Sequence, residues 1–483
     1  MTCISNALNQ RFKIARVPCC QRPTVVHQIS RRLHPHRISP GQGHARPELE
    51  RNGVRARRVV MRALFGRSSK QQAAEKQESL DADQITVTLA PAMRTINKDE
   101  WDACAAPTGN PFLSYEFLLA LEESGSAVRD QGWQAQHLLL YAPGKESAET
   151  LLGCVPLYLK GHSQGEYVFD QGWAQAYERA GGQYYPKLQS CVPFTPVSGA
   201  RLMVRPGAPA TTRTTLVQAL RAVADQTNVS SLHITFNQEE ETQMCEELGF
   251  ITRMGVQYHW ENRGYSTFDD YLGTFLQRKR NSIRKERRKV ERQGVVLERL
   301  TGDSIKAHHW DAFYEFYTNT TAKKWGTPYL TRKFFFQIGE TMRDKILLVM
   351  ASYEGELVAG ALNFIGEDCI YGRNWGCTAE FKNLHFETCY YQAIEEAIER
   401  GLQRVEAGAQ GEHKVQRGYL PSATWSSHYL KTPAFADAVK RAIDSERENL
   451  SDVMTMLNEQ SPYKDRPEVN LETRYKAMRG RMF

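Results

Sequence analysis

The sequence predicts an α+β protein built from two tandem copies of one module, each a mixed sheet flanked by helices. Three observations predict it. Residues 345–420 hold three short β-rich runs parted by Gly and acidic turns, then a helix, then another strand. Residues 136–194 repeat that order, with Leu152-Gly153-Cys154 opposite Ala359-Gly360-Ala361 and Trp173 opposite Trp375. No apolar run approaches the ~20 residues a membrane span requires, and 483 residues suffice for two or three substantial cores.

Residues 1–74 carry 15 Lys and Arg against two acids, Glu48 and Glu50, a net of +13. The whole chain is +7, so the remainder is −6 and gives no ground for a general nucleic-acid binder. Rich in Arg, Pro and Ser, residues 1–74 have the composition of an organellar transit peptide and are set aside as disordered. A chloroplast destination is expected, with the mitochondrion as the alternative, because the segment lacks an extended amphipathic helix. A basic arm binding RNA or membrane is the competing account. The ten cysteines form no CxxC pair and read as buried thiols of a reducing compartment. The histidines show no metal-ligand spacing, so no metal is assigned.

The first copy is expected over residues 85–260. Residues 85–89 alternate as a strand, and 97–104 and 114–123 read as helices, the second capped by Ser114. Runs at 137–141, 151–158 and 166–173 form the meander, followed by a helical piece at 173–180 and a strand at 188–194. A strand at 201–204, a helix at 214–226, a strand at 231–236, a helix at 239–248 and a strand at 257–260 complete it.

The second copy is expected over residues 265–445. Phe268, Tyr271, Leu272, Phe275 and Leu276 form an apolar stripe on a helix that continues into the basic run 278–289. An aromatic helix at 310–317 precedes the meander at 346–350, 357–365 and 369–376. In the helix at 385–400, Phe386, Tyr390, Ala393, Ile394 and Ala397 share one face, and Gly401 suits its end. Residues 404–409 read as one more strand. Residues 446–483 are polar and read as an appended extension.

Several stretches together resemble a known family. They are Asn110-Pro111-Phe112-Leu113-Ser114, Val155-Pro156-Leu157-Tyr158, Gly165-Glu166-Tyr167-Val168-Phe169-Asp170, Tyr184-Tyr185-Pro186-Lys187 and His259-Trp260-Glu261-Asn262-Arg263. Lys324-Trp325-Gly326 and Glu406-Ala407-Gly408-Ala409-Gln410-Gly411-Glu412-His413-Lys414 belong with them. Over about residues 85–445 the chain resembles the predicted N-acyltransferases grouped with Fem-type, peptidoglycan-biosynthesis proteins of the GNAT superfamily. The resemblance implies two tandem GNAT-like domains and transfer of an acyl or aminoacyl group to an amine on a small molecule or peptide. It implies acyl-CoA or aminoacyl-tRNA as donor, with tRNA then a partner. The superfamily's glycine-rich pyrophosphate turn is absent here: the corresponding residues 378–384 contain no glycine. That departure weakens acetyl-CoA as the donor. A non-catalytic GNAT-like binding module for tRNA or a phosphorylated ligand is the alternative reading.

Amide formation needs a deprotonated amine, a polarised carbonyl and a site that holds both away from water. Alternation puts Glu406, Gly408 and Gln410 on one strand face, with Glu412 and His413 following. Glu406, Glu412 or His413 is therefore expected to accept the amine proton. The structural alternative pairs Glu406 with Arg404 or Arg373 and leaves His413 solvated. Tyr371, Arg373 and Trp375 are expected on one face, Arg373 to hold a carboxylate or phosphate and Trp375 to wall an acyl tunnel. A structural Arg–Glu pair under an aromatic competes with that reading.

His385 and Glu387 open the next helix, where the dipole favours an anion, though a cap or core place suits His385 as well. Gln410 and Lys414 complete the substrate set of the second copy. In the first copy Tyr185, Lys187 and the Phe194-Thr195-Pro196 turn are expected to line the acceptor cleft. Arg280, Arg284 and Arg288 are expected as a phosphate clamp, against the alternative of a solvated helix face.

Overall fold

The structure, a computed structural model, describes residues 57–59, 85–142, 150–324, 326–408 and 411–465. In the first half, β1 (Arg57–Val59), which falls within the segment set aside as a leader, runs antiparallel to β2 (Thr86–Ala90). Helices α1 (Lys98–Ala105) and α2 (Tyr115–Glu123) follow. Each starts where a side chain accepts an otherwise unpaired N–H, Asn97 from Glu100 and Ser114 from Phe117.

The meander strands then each come in two pieces. β3 (Trp133–Ala135) and β4 (His137–Tyr141) part at Gln136, and β5 (Leu151–Val155) and β6 (Leu157–Lys160) part at Pro156. Pro156 has no N–H for a ladder, so the strand divides there and its two pieces serve different sheets. After α3 (Gln171–Arg179), β7 (Lys187–Ser190) is separated from β8 (Met203–Val204) by irregular chain. The half closes with α4 (Thr212–Gln226), β9 (Ser231–Asn237), α5 (Glu239–Glu247) and β10 (Ile251–Glu261).

Residues 166–173, expected as a strand, contain none. Residues 166–170 are irregular and α3 starts at Gln171, so Trp173 lies on a helix and has no strand position to match Trp375. The cause is electrostatic: Glu166 and Asp170 fold back on the buried Lys187, at 2.7 and 2.5 Å, and this fixes the chain between them. The third meander strand is β7 instead.

In the second half α6 (Phe268–Gly273) and α7 (Gln277–Arg292) are two helices where the sequence suggests one. The break lets Phe275 turn inward against Tyr463, 4.9 Å away. Then come β11 (Val295–Thr301), α8 (Ala307–Lys324), α9 (Arg332–Thr341), β12 (Ile346–Tyr353), β13 (Glu356–Ile365) and β14 (Cys369–Cys377). A continuous helix, α10, covers residues 384–399 and is wound as π helix over Glu387–Tyr391. β15 (Arg404–Glu406), β16 (Leu420–Leu430) and α11 (Pro433–Glu459) end the described chain. The extension expected to be an appendage instead continues α11, burying Met454 and Leu457, and Tyr463 donates to the Gly418 carbonyl at 3.0 Å. Its apolar stripe is thin because the helix touches the fold along one edge.

Both halves run strand, two helices, meander, helix, strand and a long last strand, with α5 inserted before the last strand of the first half and α6 and α7 preceding the second. A small sheet is ordered β1-β2-β4-β5-β8, and a large one β11-β12-β13-β14-β15-β10-β16-β9-β7-β6-β3. Pairs β14·β15 and β7·β9 are parallel, as the helical crossovers between them require. The last strands have changed places. β10 of the first half pairs with β15 of the second, β16 of the second pairs with β9 of the first, and the two pair with each other. One aromatic core also joins the halves: Phe112 lies 4.8 Å from Phe364 and 5.3 Å from Tyr371, and Phe117 lies 5.7 Å from Phe334. On the opposite face of the sheet, Ala393, Ile394 and Ala397 of α10 pack with Val349, Ile370 and Val405.

Candidate active site at the seam of the two halves

The two parallel strands β14 and β15 stay together for three pairs, Cys369 with Arg404, Ile370 with Val405 and Tyr371 with Glu406, and then part. β15 stops because Gly408 takes a φ of +77°, a conformation that ends extended chain and suits glycine. The expected alternation of Glu406, Gly408 and Gln410 therefore does not hold. Gln410 lies outside the described residues, as does the side chain of Glu412. The freed carbonyls of Ala407 and Gly408 accept from Lys414 Nζ at 2.5 and 3.0 Å.

β14 is bulged at the same level. Asn363 stands opposite Gly372 and Leu362 opposite Asn374, so Arg373 is the extra residue. The bulge reverses the alternation beyond it. Tyr371 packs on Phe112 in the core shared by the halves, whereas Trp375 turns to the α10 face, 5.3 Å from His385. Tyr371, Arg373 and Trp375 do not share a face as the sequence suggests. Arg373 stays on the Tyr371 side, its guanidinium 5.8 Å from the Phe112 ring and donating to the Phe194 carbonyl at 3.0 Å.

Glu406 is 3% exposed. Arg404 Nε lies 3.3 Å from its Oε1, the structural pairing foreseen as the alternative, while its Oε2 has no hydrogen-bond partner among the described residues. Burial pushes its carboxyl up to about 7, against the opposing pull of Arg404 and Arg373. His259 of β10 stands directly across the ladder. Burial, with Arg404 and Lys414 nearby, pulls His259 down to about 3, so it is a neutral imidazole. Its Nε2 meets Gln257 Oε1 at 3.3 Å, and Gln257 Nε2 donates to the Pro196 carbonyl at 2.5 Å. Burial also brings Lys414 down to about 8.

On the α10 side the wall is aromatic. His385 lies 5.4 Å from Tyr390 and 6.2 Å from His413, and the Tyr390 hydroxyl bonds His413 Nε2 at 3.0 Å. Burial lowers the His413 pKa from its ordinary value, although the residue is exposed overall. Tyr371, Arg373, Glu406 and Lys414 thus gather around the point where the strands part. Trp375, His385 and His413 form the other side.

Four expected site residues are committed elsewhere. Glu387 is buried and accepts from Arg287 through both oxygens, at 2.9–3.1 Å, and from Gln392 at 2.8 Å, so it belongs to a structural ion pair. Lys187 is fully buried and held by Glu166, Asp170 and Ser163, which removes it from any cleft. Tyr185 shares a 2.8 Å hydrogen bond with Ser163 beside it. Arg284 pairs with Asp269 at 2.8 Å. Arg288 remains exposed and Arg280 half-exposed on α7. Among the described residues no His, Cys, Asp and Glu cluster could hold a metal ion.

Sequence reasoning missed His259 and Gln257 as members of the site. Their spacing of two beside the Glu406 strand was a readable signal, but their neighbour across the ladder was not. It also missed Arg201, buried and donating to the carbonyls of Val197, Gly199 and Ala200. The first half's corresponding face is filled. His233 and His428 face each other across β9 and β16 with a 2.8 Å bond between their Nδ1 atoms, and Trp173 lies 4.9 Å from His428.

The family described as FemAB-like, peptidoglycan biosynthesis/recognition, matches residues 92–465. Among solved structures, that of FemX is similar at 12% identity and a TM-score of 0.46, over 71% of this chain and 98% of that one. L-PGS from Bacillus licheniformis is similar at 12% identity and a TM-score of 0.40, over 70% and 98%. A tandem GNAT protein from the clavulanic acid biosynthesis pathway is similar at 12% identity and a TM-score of 0.39, over 72% and 99%. No curated protein matches the chain.

Proposed function

We propose, since the chain belongs to the FemAB-like peptidoglycan biosynthesis/recognition family, that it is an acyl- or aminoacyltransferase forming an amide on an amine acceptor. The observation that carries the reading is Glu406: a buried carboxyl near 7 with one oxygen unpartnered among the described residues, set where β14 and β15 separate. A group so placed accepts a proton at neutral pH without being lost to water.

The amine nitrogen attacks the donor's acyl carbon and a C–N bond forms. Glu406 Oε2 takes the proton released from nitrogen. The C–S bond of a thioester or the C–O bond of an aminoacyl ester breaks, and Glu406 passes the same proton on to the departing sulfur or oxygen, which restores the carboxylate. Lys414, near 8 and directed at main-chain carbonyls, supplies positive potential beside the developing oxyanion. The donor is acyl-CoA or aminoacyl-tRNA, and the exposed basic face of α7 supports the second. The composition of residues 1–74 supports a plastid location.

The test supplies the protein with radiolabelled acyl-CoA in one tube and aminoacyl-tRNA in another, each with a mixed amine pool. Amide product from either donor, lost in Glu406→Gln, is the expected result. Product formed at the wild-type rate by that variant removes Glu406 from the chemistry, and no product from either donor removes the transferase reading.

A further inference from the structure

The charges around Glu406 do not balance. Arg373 and Lys414 are cations in or beside the protein interior, and among the described residues neither has a carboxylate within ion-pair distance. Main-chain carbonyls are their partners: Phe194 for Arg373, Ala407 and Gly408 for Lys414. Glu406 is shared with Arg404 and, near 7, is ionised only about half the time at neutral pH. Cations held largely out of water without a paired carboxylate are costly, and a site that keeps them gains by admitting an anion.

The surroundings of Arg373 say where that anion arrives. One guanidinium nitrogen is used on Phe194, and among the described residues the rest of the fork has no hydrogen-bond partner, which leaves it for a bidentate one. Beneath it is the Phe112 ring, and beside it the Tyr167 hydroxyl lies close enough for Arg373 and Tyr329 to perturb its titration. Tyr329 stacks on Phe194 at 5.1 Å with the rings 14° apart. Tyr167 and Tyr329 are 38% and 37% exposed and Arg373 is half-buried, so the rings and the guanidinium can all be reached from solvent. These residues are on the Tyr371 side of the bulged strand, away from the Trp375 and α10 side.

We infer that the amine acceptor carries an anionic group, a carboxylate or a phosphate, close to its nitrogen and next to a flat apolar part. Arg373 holds the anion, Tyr167 and Tyr329 cover the flat part, and the nitrogen then lies toward Glu406. This rests on the transferase reading for the reaction but not for binding, so the two can fail separately.

The probes are phenyl phosphate, 4-hydroxyphenylacetate and the neutral benzyl alcohol, none of which has an amine. Each is titrated into the full chain and followed by ligand-observed NMR. Expected is binding of both anions at least tenfold tighter than of benzyl alcohol, loss of that preference in Arg373→Gln, and its retention in Glu406→Gln. Equal binding of neutral and anionic probes, or a preference unchanged in a folded Arg373→Gln, overturns the inference. Should that variant not fold, the wild-type comparison decides alone. Phenyl phosphate bound while 4-hydroxyphenylacetate is ignored selects phosphate, and the reverse selects carboxylate.

A second arm compares tyrosine with tyramine as acceptors, using whichever donor gives product. Tyrosine favoured at least tenfold in KM, with the difference abolished in Arg373→Gln, supports the inference. Tyramine acylated equally well overturns it and leaves the transferase reading standing. Anion binding through Arg373 with no transfer from any donor does the opposite. A raised KM for donor alone in Arg373→Gln assigns the anion to the donor and overturns the inference.

Discussion

Glu406 and His259 stand opposite each other across one antiparallel ladder, although each comes from a different half of the duplicated fold. Because His259 is held neutral and Glu406 is held near 7, the row presents one group that titrates in the working range. Replacing Glu406 by Gln is expected to lower the turnover rate by about 10²–10⁴-fold, the usual worth of a positioned base. The wild-type rate should rise with pH through about 7 and level off, while the variant's residual rate lacks that limb. A rate profile measured on both proteins checks it.

The same carboxyl makes stability depend on pH. Its folded pKa, about 7, exceeds its ordinary value of 4.5, so below about 4.5 both states are protonated and the full contribution is present. Between 4.5 and 7 the unfolded chain ionises first, and the advantage is lost. The fall should reach about 3 kcal/mol, from 1.36 kcal/mol per pKa unit. Urea unfolding at pH values on either side of this window should show a drop in wild type that is largely missing in Glu406→Gln.

Lys187 is read as structural. Lys187→Met leaves Asp170 buried without its cation and Glu166 with Lys160 alone, 3.8 Å away, and should cost about 3–5 kcal/mol, seen as a lowered urea midpoint. A stable variant with altered acceptor KM would return Lys187 to the binding surface.

Helix α7 separates two uses of arginine. Arg287 holds Glu387 and Glu395, so Arg287→Ala should lower the urea midpoint as well. Charge reversal at Arg288, on the exposed face, should leave stability within about 0.5 kcal/mol. It should weaken tRNA binding and flatten its salt dependence. Fluorescence anisotropy over a salt series distinguishes the two, and an unchanged slope would make that face a solvated one.

Gly376 lets α8 lie directly on β14. A Cβ there would stand 2.1 Å from the Phe316 carbonyl oxygen, which is main chain and cannot swing away. Gly376→Ala is expected to destabilise the protein by about 1–3 kcal/mol or more. It should also disturb Trp375 on the same strand, which tryptophan fluorescence would register.

Much of the second half could be read from its letters, because β12 and β13 are largely apolar runs ended by Gly and acidic turns. The bulge at Arg373 could not. It depends on how Asn363 and Gly372 meet across the ladder, and it alone sends Trp375 to the other face. Glu406, Arg373 and Lys414, chosen on residue chemistry, lie together where the strands part, whereas His413 is on the α10 side against Tyr390. Lys187 and Glu387 fit the same chemistry, yet tertiary partners written far away in the sequence neutralise them. The stretch 166–173 was misread because the valine and aromatics look extended, while two carboxylates bound to one lysine decide the path.

The traded strands constrain motion as well as architecture. A clamshell opening between the halves would have to tear β10 from β15 and β16 from β9, breaking main-chain bonds along two ladders at once. The two halves are thereby tied into one sheet, and the place where β14 and β15 part rests on main-chain ladders drawn from both of them.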